Sequence, residues 1–257
     1  MKIAITGKGG SGKTTIAAGL ALKFKEQGKK VIVVDCDPDA NLALALGFPH
    51  IEDITPISQM KELIAERTEV ESLDEPSTFF KINPKVDDIP EKFAAVYNGI
   101  RLLVMGKVCK AGSGCMCPEN TFIKRLLSHL VLKKDEVVIL DMVAGSEHLG
   151  RGTAGNVDMA LIVVEPTKLG ALTARHIENL IEELGIKKRF FIANKIDSEA
   201  DENFLKEELG KNFLGFIHLN KNLSRNRGIF QFDKTLKAEF DILFKKLLSS
   251  VLNADSR

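Results

Sequence analysis

The stretch Gly7-Lys8-Gly9-Gly10-Ser11-Gly12-Lys13-Thr14-Thr15 sits between a short apolar run, Lys2–Thr6, and an amphipathic run, Lys13–Gln27. Gly7 and the later Gly12-Lys13-Thr14 stand at the offsets of a phosphate-binding loop, and a strand before and a helix after are the context that motif requires. Glycines let the backbone curl, so that successive N–H groups from Gly9, Gly10, Ser11, Gly12, Lys13, Thr14 and Thr15 point at phosphate oxygens. The helix N-terminus adds partial positive charge. Lys13 is placed to reach the β- and γ-phosphates, and the Thr14 hydroxyl to ligate Mg²⁺.

Working outward, six further Ile/Val/Leu-rich runs read as buried strands: Lys30–Val34, Arg101–Met105, Glu136–Leu140, Ala160–Val164, Arg189–Ala193 and Leu214–Ile217. Between them, Pro56–Arg67, Asn120–Leu132, Leu172–Leu184, Glu199–Leu209 and Lys234–Leu252 read as helices. Strands alternating with helices predict an α/β fold: a doubly wound, mostly parallel sheet of seven or eight strands with helices on both faces. Phe48–Gly99 is the least regular stretch, and its second half, Leu73–Lys92, reads as a surface excursion. No repeat or linker interrupts the pattern, so residues 1–257 are expected to form a single domain.

Composition bounds the function. Lys+Arg 36 against Asp+Glu 35 gives a formal charge of +1, which argues against a strongly basic nucleic-acid binder. No apolar run reaches the roughly 18 residues of a membrane span, and Met1 leads directly into the first strand. A cytoplasmic location is expected. Four cysteines are too few for a disulfide scaffold, but Cys109, Cys115 and Cys117 cluster while Cys36 stands alone.

Acidic residues follow two of the strands. Asp35, Asp37 and Asp39 close the second strand, and Asp141 closes Glu136–Leu140. Ligands bind at the carboxyl ends of parallel strands, which makes Asp141 a candidate for Mg²⁺, directly or through water. The extra lysine of Lys8-Gly9-Gly10-x-Gly12-Lys13-Thr14-Thr15 resembles the deviant P-loop of the MinD/ParA/NifH ATPases. The resemblance implies that Lys8 reaches across a dimer interface to the partner's nucleotide, and that the nucleotide is ATP. Asp35-Cys36-Asp37-Pro38 resembles the switch I of that group, which would make Asp37 the residue that positions the attacking water and bring Asp35 near Mg²⁺. Asn194, after the Phe190–Ala193 run, resembles the asparagine of the adenine pocket. The segment after Asp141 carries Gly145, Gly150 and Gly152 with Glu147 and His148, as a γ-phosphate-sensing hinge would.

Cys115-Met116-Cys117 offers two soft thiolates, suitable for Zn²⁺, Cu(I), Ni²⁺ or an iron–sulfur cluster. A tetrahedral site wants four ligands, which two chains meeting at a two-fold axis would supply. Phe80-Lys-Ile-Asn-Pro-Lys-Val-Asp-Asp-Ile-Pro-Glu-Lys92, Leu102-Leu-Val-Met-Gly106, Cys115-x-Cys-Pro-Glu-Asn120 and Gly145-Ser-Glu-His-Leu-Gly-Arg-Gly-Thr153 resemble the CooC family of nickel-chaperone ATPases. In that family the cysteine pair binds metal between two subunits. Val143 stands where the family often has an acidic residue, and Cys109 where a non-cysteine residue is expected.

These readings lead to a homodimerising ATPase that handles a metal, Ni²⁺ (or Zn²⁺), through Cys115 and Cys117 for a client such as carbon monoxide dehydrogenase or acetyl-CoA synthase. No nucleic-acid or membrane partner is expected. The alternative is a MinD/ParA-type positioning ATPase acting on membrane or DNA. An iron–sulfur electron carrier is argued against by the lack of cysteine in the segment after Asp141.

Overall fold

The structure is a computed structural model that describes residues 1–37, 39–73, 79–106, 117–130, 135–142, 157–210, 212–225 and 230–252. Seven strands run parallel: β1 (Lys2–Gly7), β2 (Lys30–Asp35), β4 (Ile100–Val104), β5 (Glu136–Asp141), β6 (Met159–Val164), β7 (Arg189–Ile196) and β8 (Phe213–His218). A short antiparallel strand, β3 (Ala95–Tyr97), edges the sheet beside β4. The eight strands lie in the order β3-β4-β2-β5-β1-β6-β7-β8. Every residue of β1, β5 and β6 is buried, which is why these strands read as continuous apolar runs rather than alternating ones.

Each face of the sheet has its own core. On one side lie α1 (Lys13–Glu26), α2 (Leu42–Ala45) and α9 (Lys234–Leu252). There Gly19 leaves room for the ring of Phe240, and Leu20, Phe24, Leu243 and Leu247 close over Ile3, Ile5 and Val33. The other side carries α3 (Lys61–Thr68), α5 (Pro118–Ser128), α6 (Lys168–Glu183) and α7 (Glu199–Leu209), whose Ile64, Phe122, Leu126, Ile177 and Leu205 cover Ala4, Val34, Leu140 and Ile162. Two short helices, α4 (Ile89–Lys92) and α8 (Lys221–Arg225), and two 3₁₀ turns, Ile51–Asp53 and Ile57–Gln59, complete the elements among the described residues.

Several local expectations are corrected. The helix expected over Pro56–Arg67 is a 3₁₀ turn, Ile57–Gln59, followed by α3. Ser58 N donates to Met105 O at 3.1 Å, so this turn is tied to the end of β4 instead of to a helical carbonyl. The excursion is not wholly at the surface: Val86 and Ile89 are 3% and 0% exposed, and Arg67 grips both oxygens of Asp88 at 3.1 and 2.9 Å. The Arg67 guanidinium holds the Asp88 carboxyl far below the usual range. α6 begins at Lys168, not Leu172, because Thr167 Oγ1 accepts the Gly170 N–H at 2.9 Å and caps an earlier turn. β3 was missed although Asn98-Gly99 signals its hairpin; both residues have positive φ, 48° and 74°, as a two-residue turn requires.

Lys2 is 1% exposed, and its ammonium donates to Leu127 O near the end of α5. Burial lowers its pKa to about 8, against a partial opposing pull from Asp158. Below that pH both folded and unfolded chains hold the proton, and the cost of a buried cation is present in full. As pH rises above 8 the folded chain releases it first, so stability rises with pH. Relative to Lys2→Met, the parent is expected to gain about 2 kcal/mol between pH 8 and pH 10. Urea melts at the two pH values check this, and a constant difference between the proteins would contradict it.

Candidate functional site

The phosphate loop leaves β1 and enters α1 at the carboxyl edge of the sheet. Gly12 is the α1 N-cap, at φ 96° and ψ 26° in the left-handed region, and a Cβ there would collide with the Asn194 amide. Gly7, at φ 149°, lies against the Val163 carbonyl, where a Cβ would not fit. Ser11 N closes a turn onto Lys8 O at 3.1 Å. Ser11 is 0% exposed, yet its hydroxyl has no hydrogen-bond partner among the described residues. Lys13 is buried at the loop's inner end and close enough to Asp141 to favour its ionised form.

Asp35 and Asp141 are neighbours across the β2–β5 ladder, 0% and 1% exposed. Asp35 accepts the N–H groups of Asp37 at 3.0 Å and Leu42 at 2.9 Å, so it organises the turn after β2. Among the described residues neither oxygen of Asp141 makes a well-formed hydrogen bond, although the Thr14 hydroxyl is near enough to steady its charge. Burial first, and then the charge of Asp35, raises the pKa of Asp141 to about 7; burial first, and then the charge of Asp37, raises that of Asp35 to about 6. Two desolvated carboxylates, one without a donor, beside a threonine hydroxyl and a lysine form a donor set that suits a hard divalent cation. Asp37 is half-buried and accepts the Asp39 N–H at 3.0 Å. The Cys36 thiol between them is 4% exposed, and burial pushes its pKa far up, so it is a packing group.

Sequence reasoning did not single out Glu165 and gave Lys195 no role of its own, and both lie at this edge. Glu165 follows β6, and its Oε1 is 2.7 Å from Lys8 Nζ. Lys195 Nζ is 3.6 Å from Glu165 Oε2 and donates to Gly10 O at 2.5 Å. Asn194 Nδ2 donates to Ser11 O at 2.8 Å, and Asn194 is 6% exposed. The donor half of this amide therefore braces the loop. Both residues come from an irregularity in β7, where the pairing with β8 shifts between Asn194 and Ile196 and Lys195 takes φ 61°. A bulge with a left-handed lysine re-aims successive side chains onto one target. The rule that picked out Asp141, an acid just past a buried strand, would have found Glu165 too.

The sequence profile of the CobQ/CobB/MinD/ParA nucleotide binding domain matches residues 2–228. An uncharacterised ATP-binding protein of Methanocaldococcus jannaschii is 49% identical over 232 residues, 88% of each chain. The carbon monoxide dehydrogenase accessory protein CooC of Rhodospirillum rubrum is 48% identical over 207 residues, 80% of this chain and 78% of its own. The chain is a CooC-type member of the MinD/ParA family. Its fold matches that of the septum site-determining protein MinD of Pyrococcus horikoshii, solved with Mg-ADP, at a TM-score of 0.65 and 19% identity, covering 97% of both chains.

As a CooC-type P-loop protein, the chain is an ATPase. Of its metal-ligand candidates, Cys117 is half-buried at the N-cap of α5. Cys115 and Cys109 lie outside the described residues, as do Val143, Gly145, Glu147, His148, Gly150 and Gly152. Among the described residues no group of three or more His, Cys, Asp or Glu could hold a metal ion. No helix among them is long and apolar enough to cross a membrane.

Proposed function

We propose that this CooC-type ATPase is a metallochaperone that supports metal insertion into a nickel enzyme such as carbon monoxide dehydrogenase. The observation that carries this reading is the 48% identity to the carbon monoxide dehydrogenase accessory protein. Acetyl-CoA synthase is the second client class. The whole chain works as one domain, in a reducing cytoplasm that keeps its cysteines as thiols. MgATP is held by the backbone of Gly9–Thr15, with Lys13 on the β- and γ-phosphates. Thr14 and, directly or through water, Asp141 and Asp35 would hold Mg²⁺, which would supply neutralisation of phosphate charge. The buried, unpaired oxygens of Asp141 support that assignment. Asp37 orients a water and takes its proton as the water oxygen bonds to the γ-phosphorus and the bond to ADP breaks. The acceptor oxygen of Asn194 meets the purine.

Lys8 acts on the nucleotide of a second copy, so ATP binding favours a homodimer. Its side chain is 33% exposed at the loop rim, and Leu169 and Leu172, 60% and 55% exposed at the start of α6, supply apolar surface for that copy. The apolar stripe of α9, including Leu236, Phe240, Leu243 and Leu247, is buried against the sheet, which weighs against a membrane-anchored positioning role for this helix.

The cargo site is Cys115 and Cys117 from both subunits, four sulfurs that suit Ni²⁺ or Zn²⁺. Binding requires thiolates, so it releases protons and weakens as pH falls. Metal and ATP both favour closure, and each tightens the other by the same factor. A Ni²⁺ titration with mass measured alongside tests this. One metal per two chains is expected, retained by Cys109→Ser and lost by Cys115→Ser/Cys117→Ser. One metal per monomer that disappears with Cys109→Ser would overturn the shared site, as would full binding by the double variant.

A further inference from the structure

We infer that Glu165 is a positioning residue that holds Lys8 within its own subunit until nucleotide and a second copy compete it away. The inference rests on the reading that Lys8 works across a dimer. Its basis is geometric. Lys8 Nζ and Glu165 Oε1 are 2.7 Å apart, and the two side chains are 33% and 17% exposed. A pair this close and this shielded is a charge-assisted hydrogen bond rather than a passing surface contact.

Glu165 is held on rigid elements from both sides. It leaves β6 directly after Val164, which is 1% exposed, and Pro166 and the capping residue Thr167 follow it. Its second oxygen faces Lys195 Nζ at 3.6 Å, and that ammonium is itself anchored on Gly10 O at 2.5 Å. The carboxylate therefore keeps a cation on each side, and one of the two is also bound to the loop that takes the phosphates. What tethers Lys195 is that bond to Gly10 O and not burial, since its side chain is 43% exposed; the β7 bulge, at φ 61°, aims it at the loop. The Lys8 backbone is tied, its carbonyl accepting the Ser11 N–H at 3.1 Å, but Gly9 and Gly10 after it are open, an added Cβ meeting nothing within 4 Å, which leaves its side chain room to move. When a partner's phosphates approach, Lys8 is the member that can leave. Glu165 then stays paired with Lys195 and is not left as an isolated charge.

The consequence is a threshold on assembly. Lys8 must exchange one anionic partner for another, so the pair with Glu165 subtracts from what the second copy's phosphates contribute. Removing the charge of Glu165 while keeping its shape lowers the threshold. In an Asp37→Ala background, Glu165→Gln is expected to reduce the MgATP concentration at half-dimerisation by roughly three- to tenfold, the range for weakening one partly exposed charge pair. Glu165→Asp, which keeps the charge but shortens the reach, should fall between the two.

Two measurements on the full chain decide it. The first is the labelling rate of Lys8 by an amine-reactive acetylating reagent without nucleotide, read by peptide mass. Faster labelling in Glu165→Gln than in the parent is expected; equal rates would overturn the pairing whatever the dimer does. The second is mass by light scattering across a MgATP titration. A parent that dimerises while Glu165→Gln needs as much MgATP or more overturns the positioning role alone. A parent that stays monomeric at every MgATP concentration overturns the dimer reading and the threshold with it, even where labelling shows the pair. A thermal melt of each variant confirms that it is folded.

Discussion

Lys13→Ala is expected to lower MgATP hydrolysis by about 10²-fold or more, the scale of losing one preorganised cationic contact to a transferring phosphoryl group. Lys13 is 7% exposed, is the first residue of α1, and is close enough to Asp141 to favour its ionised form. An alanine leaves the loop glycines and the α1 N-terminus intact, so the fold survives, but the charge proposed to meet the β- and γ-phosphates is gone. It also removes a cation that favours ionised Asp141, whose burial already raises its proton affinity. Both changes act against the same step. Steady-state phosphate release by parent and variant at saturating MgATP checks the expectation. Activity within threefold of the parent would show that the loop does not bind phosphate through this residue.

Asp37→Ala is expected to separate binding from chemistry. Its carboxylate stands just past the end of β2, beyond the buried Asp35 and half open to solvent, where a water at the γ-phosphate could be met. Removing a general base typically costs 10²- to 10⁴-fold, and the expected loss here is about 10²-fold or more, with ATP affinity changed by less than about threefold. The Asp39 N–H loses its acceptor on Asp37, a local cost at a solvated turn. Turnover near that of the parent would remove the water-activating role from Asp37. The variant is also useful in its own right, because a chain that binds ATP without consuming it accumulates in whatever assembly ATP favours.

Much of this architecture could be read from the chain. The buried parallel strands announce themselves as unbroken Ile/Val/Leu runs, and the phosphate loop carries its own spacing. β3 was legible too, through Asn98-Gly99, but three residues with two exposed side chains give too little periodicity to stand out. The break between Ile57–Gln59 and α3 depends on a bond to Met105 O, a contact distant in sequence that no local propensity encodes. The same holds for the site. Asp141 and Lys13 follow from motif and strand end, whereas Lys8–Glu165 and Asn194–Ser11 join residues 157 and 183 positions apart. Lys195 reaches the loop only because β7 bulges, and a bulge leaves no mark on an apolar run.

ATP-driven pairing of two chains through Lys8 is the centre of the account, and mass by light scattering of the Asp37→Ala protein, with and without MgATP, tests it most directly. The expected result is a monomer without nucleotide, a dimer with MgATP, and a monomer in both conditions once Lys8→Ala is added. A Lys8→Ala/Asp37→Ala protein that dimerises at the same MgATP concentration as Asp37→Ala alone would contradict it.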